Sequence, residues 1–125
     1  MLTGQKILVV EDQWLIAREL CAALWEQHAT VIGPAATLNE ALRFIESSQK
    51  IDAAVLNIKL PDGDVFPAAE RLDARGVPIV FYSGYSADVL APRFADYPVW
   101  SKPAADLPAM LFDLVSKPKP LTTLS

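Results

Sequence analysis

Two adjacent carboxylates, Glu11 and Asp12, an amide, Asn57, a hydroxyl, Ser83, and an amine, Lys102, each follow directly on a short strand-like run. Runs of about five apolar-leaning residues read as buried strands, and polar groups at their carboxyl ends sit where α/β sheets place their ligands. Adjacent acids with a lysine predicted opposite make a charged crevice a better reading than a set of unrelated solvated strand ends. Taken singly the members say less. Ser83 alone reads as a cap for the segment after it, Lys102 as a surface lysine with its stem laid on the protein, and Asn57 as a strand-end residue satisfying loop amides. Their joint placement points to a site, and Asn57 is its odd member. It interrupts Ala53-Ala54-Val55-Leu56-Asn57-Ile58-Lys59-Leu60-Pro61-Asp62-Gly63 with an amide where a chemically active carboxylate is expected.

The elements that must position these groups alternate along the chain. Lys6–Val10 reads as a central strand, and from Gln13 to about Gln27 the residues Ile16, Leu20, Ala23 and Leu24 keep the three-to-four spacing of a helix face. Trp14 and Trp25 on that helix are expected to be partly buried packing, His28 to mark the helix end, and Cys21 to be apolar filler. Ala29–Gly33 is expected to be a second strand closed by Gly33-Pro34. Thr37-Leu38-Asn39-Glu40 matches a capping box opening a second helix that runs to about Ser48. Val65–Arg75 reads as a third helix stopped by Gly76, and Pro78–Ser83 as a fourth strand. Pro92 should keep the element begun at Ser86–Leu90 short or irregular. Pro98–Ser101 reads as a fifth strand, Asp106–Val115 as the last helix, and residues 117–125 as a frayed tail after a domain spanning 1–116.

Strands alternating with helices imply an α/β fold, a doubly wound parallel sheet, because parallel neighbours need right-handed crossovers. In the order 2-1-3-4-5 the switch point falls between the first and third strands. Glu11, Asp12 and Asn57 would then line one crevice, with Ser83 and Lys102 on its far side.

A length of 125 residues, 52% of them apolar, suits one domain with a proper core. A net charge of −4 without a Lys/Arg cluster argues against a nucleic-acid surface. The single cysteine forbids an internal disulfide and suits a reducing compartment. No stretch reaches the roughly 18 apolar residues of a membrane span, so the chain is expected in the cytoplasm.

The arrangement resembles the receiver domain of two-component response regulators over about Lys6–Val115, a flavodoxin-like (βα)5 fold. The resemblance is carried by Glu11-Asp12, Asn57 with Leu60-Pro61-Asp62-Gly63, Ser83-Gly84-Tyr85 and Lys102-Pro103. Val-Ile-Gly-Pro-Ala at 31–35 and Phe-Tyr-Ser-Gly-Tyr at 81–85 are similar to the single-domain branch marked by Phe-Ala-Thr-Gly-Tyr. The resemblance implies that Glu11, Asp12, the position of Asn57 and the carbonyl of Lys59 hold Mg²⁺, a hard cation suited to oxygen donors. It implies that Lys102 and Ser83 meet a phosphoryl group and that Pro103 follows a cis peptide. Its partners would be a sensor histidine kinase or phosphotransfer protein, or a downstream protein bound without phosphorylation; Tyr85 and Trp100, aromatics beside the irregular element after Ser83, mark the expected partner face with the fifth strand and the last helix.

Two departures matter. Asn57 stands where the family has the phosphoacceptor Asp, and a neutral carboxamide is a far poorer nucleophile than a carboxylate. Val99 stands where the family's switch aromatic is expected, with Trp100 one position off. The reading that follows is a signalling module that has lost aspartyl phosphorylation, binds Mg²⁺ weakly at most, is not an enzyme, and works through protein contacts. A receiver silenced by an introduced Asp-to-Asn change fits the same residues. A flavin-binding or phosphatase domain of similar fold fits them less well, since the acids after the first strand would repel a cofactor phosphate and the nucleophile is missing.

Overall fold

The computed structural model describes residues 2–48, 50–83, 92–97 and 99–101, with the side chains of Ser83, Trp100 and Ser101 excluded. Tyr85, Lys102, Pro103, the element expected at 86–90, the last helix and the tail lie outside the described residues.

The chain runs β1 (Lys6–Val10), α1 (Trp14–Glu26), β2 (Thr30–Ala35), α2 (Leu38–Ser47), β3 (Ala53–Asn57), β4 (Lys59–Leu60), β5 (Gly63–Asp64), α3 (Phe66–Ala74), β6 (Ile79–Ser83), a 3₁₀ turn (Pro92–Phe94) and β7 (Val99–Ser101). The five longer strands form one sheet in the order β2-β1-β3-β6-β7, all neighbours parallel. Counting those five alone gives the expected 2-1-3-4-5.

Continuous apolar strands bury both faces, and the two-residue period sorts their side chains. Leu8, Val10, Ala54, Leu56, Ile79 and Phe81 pack with α2 and α3 through Ala41, Ile45, Ala69 and Leu72. Ile7, Val9, Ala53, Val55 and Val80 pack on the other face with Leu20 and Leu24 of α1. An aromatic group of Phe66, Phe81, Phe94 and Tyr97 holds residues 92–97 against α3 and β6. There Asp73 accepts from the Tyr97 hydroxyl and pairs with Arg93 at 2.8 Å. Burial, and then the Asp73 carboxylate, pushes the Tyr97 phenol up to about 12.

Strand β2 corrects the expectation that Gly33-Pro34 closes it, since it runs on through both residues to Ala35. It is the sheet's edge, where a residue without an N–H forfeits no ladder bond. Its pairing with β1 shifts from Leu8↔Ile32 to Val10↔Ala35, so one extra residue is absorbed around Gly33. Gly33 has φ +98°, and a Cβ there would lie 2.8 Å from the Ala35 nitrogen and 2.9 Å from the Val9 oxygen. The bulge delivers the Ala35 carbonyl to the Glu11 N–H at 2.9 Å, fixing the first residue of the acidic loop.

Candidate functional site

The register alone brings the acids and the amide together. Val10 pairs with Leu56, so the residues that follow, Glu11 and Asn57, leave adjacent strands side by side. Among the described residues these two are the buried polar or charged ones, at 2% and 8% exposure. Burying such groups is costly unless they are bonded, and they are bonded to each other. The Asn57 Nδ2 donates to Glu11 Oε2 at 3.1 Å, to Asp12 Oδ1 at 3.0 Å and to the Lys59 carbonyl at 2.9 Å. An amide carries two hydrogens, so three acceptors around one nitrogen share them. The reverse orientation would set an amide oxygen among three others. Glu11 Oε2 also accepts from the Gln13 N–H at 3.1 Å, which turns the chain into α1.

The third oxygen comes from a small hairpin whose tip is a turn at Pro61-Asp62. Lys59–Leu60 and Gly63–Asp64 pair as an antiparallel hairpin, Lys59 opposite Asp64 and Leu60 opposite Gly63. The lysine side chain is exposed while its carbonyl faces the Asn57 amide. At the tip, Asp62 accepts from the Leu38 N–H at 2.7 Å and the Asn39 N–H at 3.0 Å, the free amides that open α2. The expected capping box is also there: the Glu40 N–H donates to Thr37 Oγ1 at 3.1 Å, and the Glu40 carboxylate accepts from the Ala36 N–H at 3.2 Å rather than from Thr37 itself. Nothing local in Pro61-Asp62-Gly63 points to a partner 24 positions earlier, so this role of Asp62 escapes sequence reading.

The amides of Leu38 and then Asn39 hold the Asp62 carboxyl below its ordinary range. A carboxylate lowered in the folded state contributes stability above its unfolded value, near about pH 4, that is lost as pH falls through the folded value. The expected result is that the Leu38 and Asn39 amide resonances move together on acidification, with a midpoint below that of an unperturbed Asp. Static amide resonances through that range would count against the contact.

Of the remaining expected site residues, Ser83 ends β6 one position after Tyr82, the partner of Asn57, and its backbone pairs with Ser101. Trp100 pairs through its backbone with Tyr82, and Val99, at the expected switch-aromatic position, is 48% exposed. Trp14 and Trp25 correct the packing expectation, at 69% and 59% exposure. Helix α1 buries Ala17, Leu20, Cys21 and Leu24; Trp25 is turned roughly 100° from Leu24, and Trp14 opens the helix three residues before the first buried one, under the Arg18 guanidinium at 5.5 Å. Cys21 is buried as filler, and burial raises its thiol.

Two carboxylates and a carbonyl converging on one point are hard oxygen donors. Among the described residues no group of three or more His, Cys, Asp or Glu side chains could hold a metal. Among those residues, no helix is long and apolar enough to cross a membrane.

The family model of the response regulator receiver domain matches residues 7–100. The structure is similar to SdrG from Sphingomonas melonis Fr1, with TM-score 0.78 and 38% identity over 90% of this chain and 97% of that one. It is also similar to the BeF3-activated conformation of SdrG, with TM-score 0.69 and 40% identity over 89% and 99%. The receiver domain of the sensor histidine kinase PA1611 from Pseudomonas aeruginosa PAO1, described with a magnesium ion coordinated in its active site cleft, gives TM-score 0.78 and 27% identity over 92% and 100%. No curated protein sequence matches the chain.

Proposed function

We propose that this chain, which belongs to the response regulator receiver domain family, is a two-component signalling module that works without aspartyl phosphorylation. The observation that carries the reading is the Asn57 Nδ2 bonded at 2.9–3.1 Å to Glu11, Asp12 and the Lys59 carbonyl. A carboxylate at this position would leave its oxygens free to attack phosphorus. The amide nitrogen has no nucleophilic lone pair to offer, and its hydrogens are committed to neighbouring acids.

Mg²⁺ fits the donor set, since the Glu11 and Asp12 carboxylates and the Lys59 carbonyl are the hard oxygens it prefers. When bound it would supply positive charge against an anionic ligand. In this chain the Asn57 amide already donates to all three oxygens, so a cation enters only as those bonds are released, and binding is weak. The chain then has no catalytic step of its own. It works in the cytoplasm by contact with a sensor histidine kinase, a phosphotransfer protein or a downstream protein, on the face carrying Tyr85 and Trp100. Lys102 and Ser83 retain the chemistry to receive an anion, and Pro103 follows the proposed cis bond.

The test is intact-mass spectrometry after acetyl phosphate treatment with Mg²⁺. The expected result is an unshifted mass, and a phosphoryl adduct would overturn the reading.

A further inference from the structure

We infer that Asp62 is a positioning residue for the site: by fastening the β4–β5 hairpin to the start of α2, it holds the Lys59 carbonyl against the Asn57 amide. This deepens the reading above and rests on it in one respect, that the Asn57 amide is the centre of the site.

The hairpin has two ladder pairs, Lys59 with Asp64 and Leu60 with Gly63. An isolated two-stranded hairpin is marginal at best in water, so one this short takes its shape from what it is anchored to. Its anchors are the buried Leu60 side chain, the Val65 N–H on the Ile58 carbonyl at 2.9 Å, and Asp62. Asp62 is the anchor at the tip, and both of its oxygens are used, at 2.7 and 3.0 Å. Bonds from helix-opening amides to an ionised carboxylate are charge-assisted and gain from the helix dipole.

The strand between this anchor and the site is short. Three residues after Lys59 the chain is pinned to α2, and at Lys59 itself the carbonyl accepts from Asn57 at 2.9 Å. Helix α2 does not need Asp62 to begin, because Thr37 and Glu40 already cap it. Asp62 therefore contributes mainly to the segment that carries it. The consequence for the site is that the third oxygen is held by an element other than the sheet, while Glu11 and Asn57 are held by β1 and β3.

The experiment follows the side-chain NH2 pair of Asn57 by nitrogen-15 NMR in the full chain and in Asp62→Ala, Asp62→Asn and Thr37→Ala. In Asp62→Ala the Asn57 side-chain protons should exchange with solvent about tenfold faster, the equivalent of one hydrogen bond lost, and shift their resonances. In Asp62→Asn, which keeps one acceptor oxygen, the change should be partial. In Thr37→Ala, which loosens α2 from its own side, the Asn57 pair should stay at its original values. The inference is overturned if Asp62→Ala alters the Leu38 and Asn39 amides alone, or if Thr37→Ala disturbs Asn57 as much. Should the alanine variant fail to fold, Asp62→Asn decides in the same way. A phosphoryl adduct on the unaltered chain would defeat the proposed function and leave this result standing, since the exchange measurement involves no phosphate.

Discussion

Changing Asn57 to Asp is expected to destabilise the metal-free protein by about 3 kcal/mol and, in the same variant, to restore Mg²⁺-dependent phosphorylation. The loss has two parts. Three acceptors, on Glu11, Asp12 and Lys59, lose the amide that donates to them. In its place stands a third carboxylate, and two unit charges about 5 Å apart at an effective dielectric near 20 repel by roughly 3 kcal/mol before salt and solvent reduce it. The exposed Asp12 is screened more than the buried Glu11, so the repulsion comes mostly from Glu11. For a chain of this size the corresponding drop in melting temperature in chelator is about 10 °C. The gain of chemistry follows because the acid pair is unchanged and the new carboxylate is a competent nucleophile. Thermal melts in chelator and intact-mass spectrometry after acetyl phosphate treatment check the two halves. An Asp variant that melts higher without metal, or that stays inert with it, contradicts the account.

Gly33→Ala is expected to be the costliest single-methyl change in the described part of the fold, at about 3 kcal/mol. The added Cβ would meet two backbone atoms, the Ala35 nitrogen at 2.8 Å and the Val9 oxygen at 2.9 Å, in a backbone with φ +98°. Neither atom can move without breaking the β1–β2 pairing, so overpacking and positive-φ strain add. The Gly4→Ala change is the control. Gly4 also has positive φ, +80°, but nothing lies within 4 Å, so it should cost only the strain, about 1 kcal/mol. Denaturant melts of the two variants separate steric from conformational cost, and equal losses would refute the close contact.

Much of this molecule is legible in its residues because its strands are buried on both faces. Continuous apolar runs such as Leu8–Val10 and Ala53–Leu56 leave little choice of element, and short connections leave little choice of order. Glu11, Asp12 and Asn57 could be placed together because strand ends in a parallel sheet share one edge. What escaped depends on facts that no local window contains. Gly33-Pro34 continues a strand because β2 is an edge, and edge status is a property of the assembled sheet. Trp25 is exposed although its neighbour Leu24 is buried, because the buried stripe of α1 is narrow. Asp62 reads as a turn residue, and only the packing of the hairpin against α2 turns its carboxylate into a cap.

The residue identity at 57 raised one question, and the geometry answers a different one. In sequence the amide is a missing nucleophile. In the fold it is also a donor at the point where the site's oxygens converge, bonded to Glu11, Asp12 and the Lys59 carbonyl.

A calorimetric Mg²⁺ titration of the unaltered protein and of Asn57→Asp, at the same pH and ionic strength, tests most directly whether the amide occupies the cation's place. If the amide stands in for the cation, the unaltered protein binds at least about tenfold more weakly, since a cation must displace its bonds and gains one fewer anionic ligand. Equal affinity in the two proteins would contradict that claim.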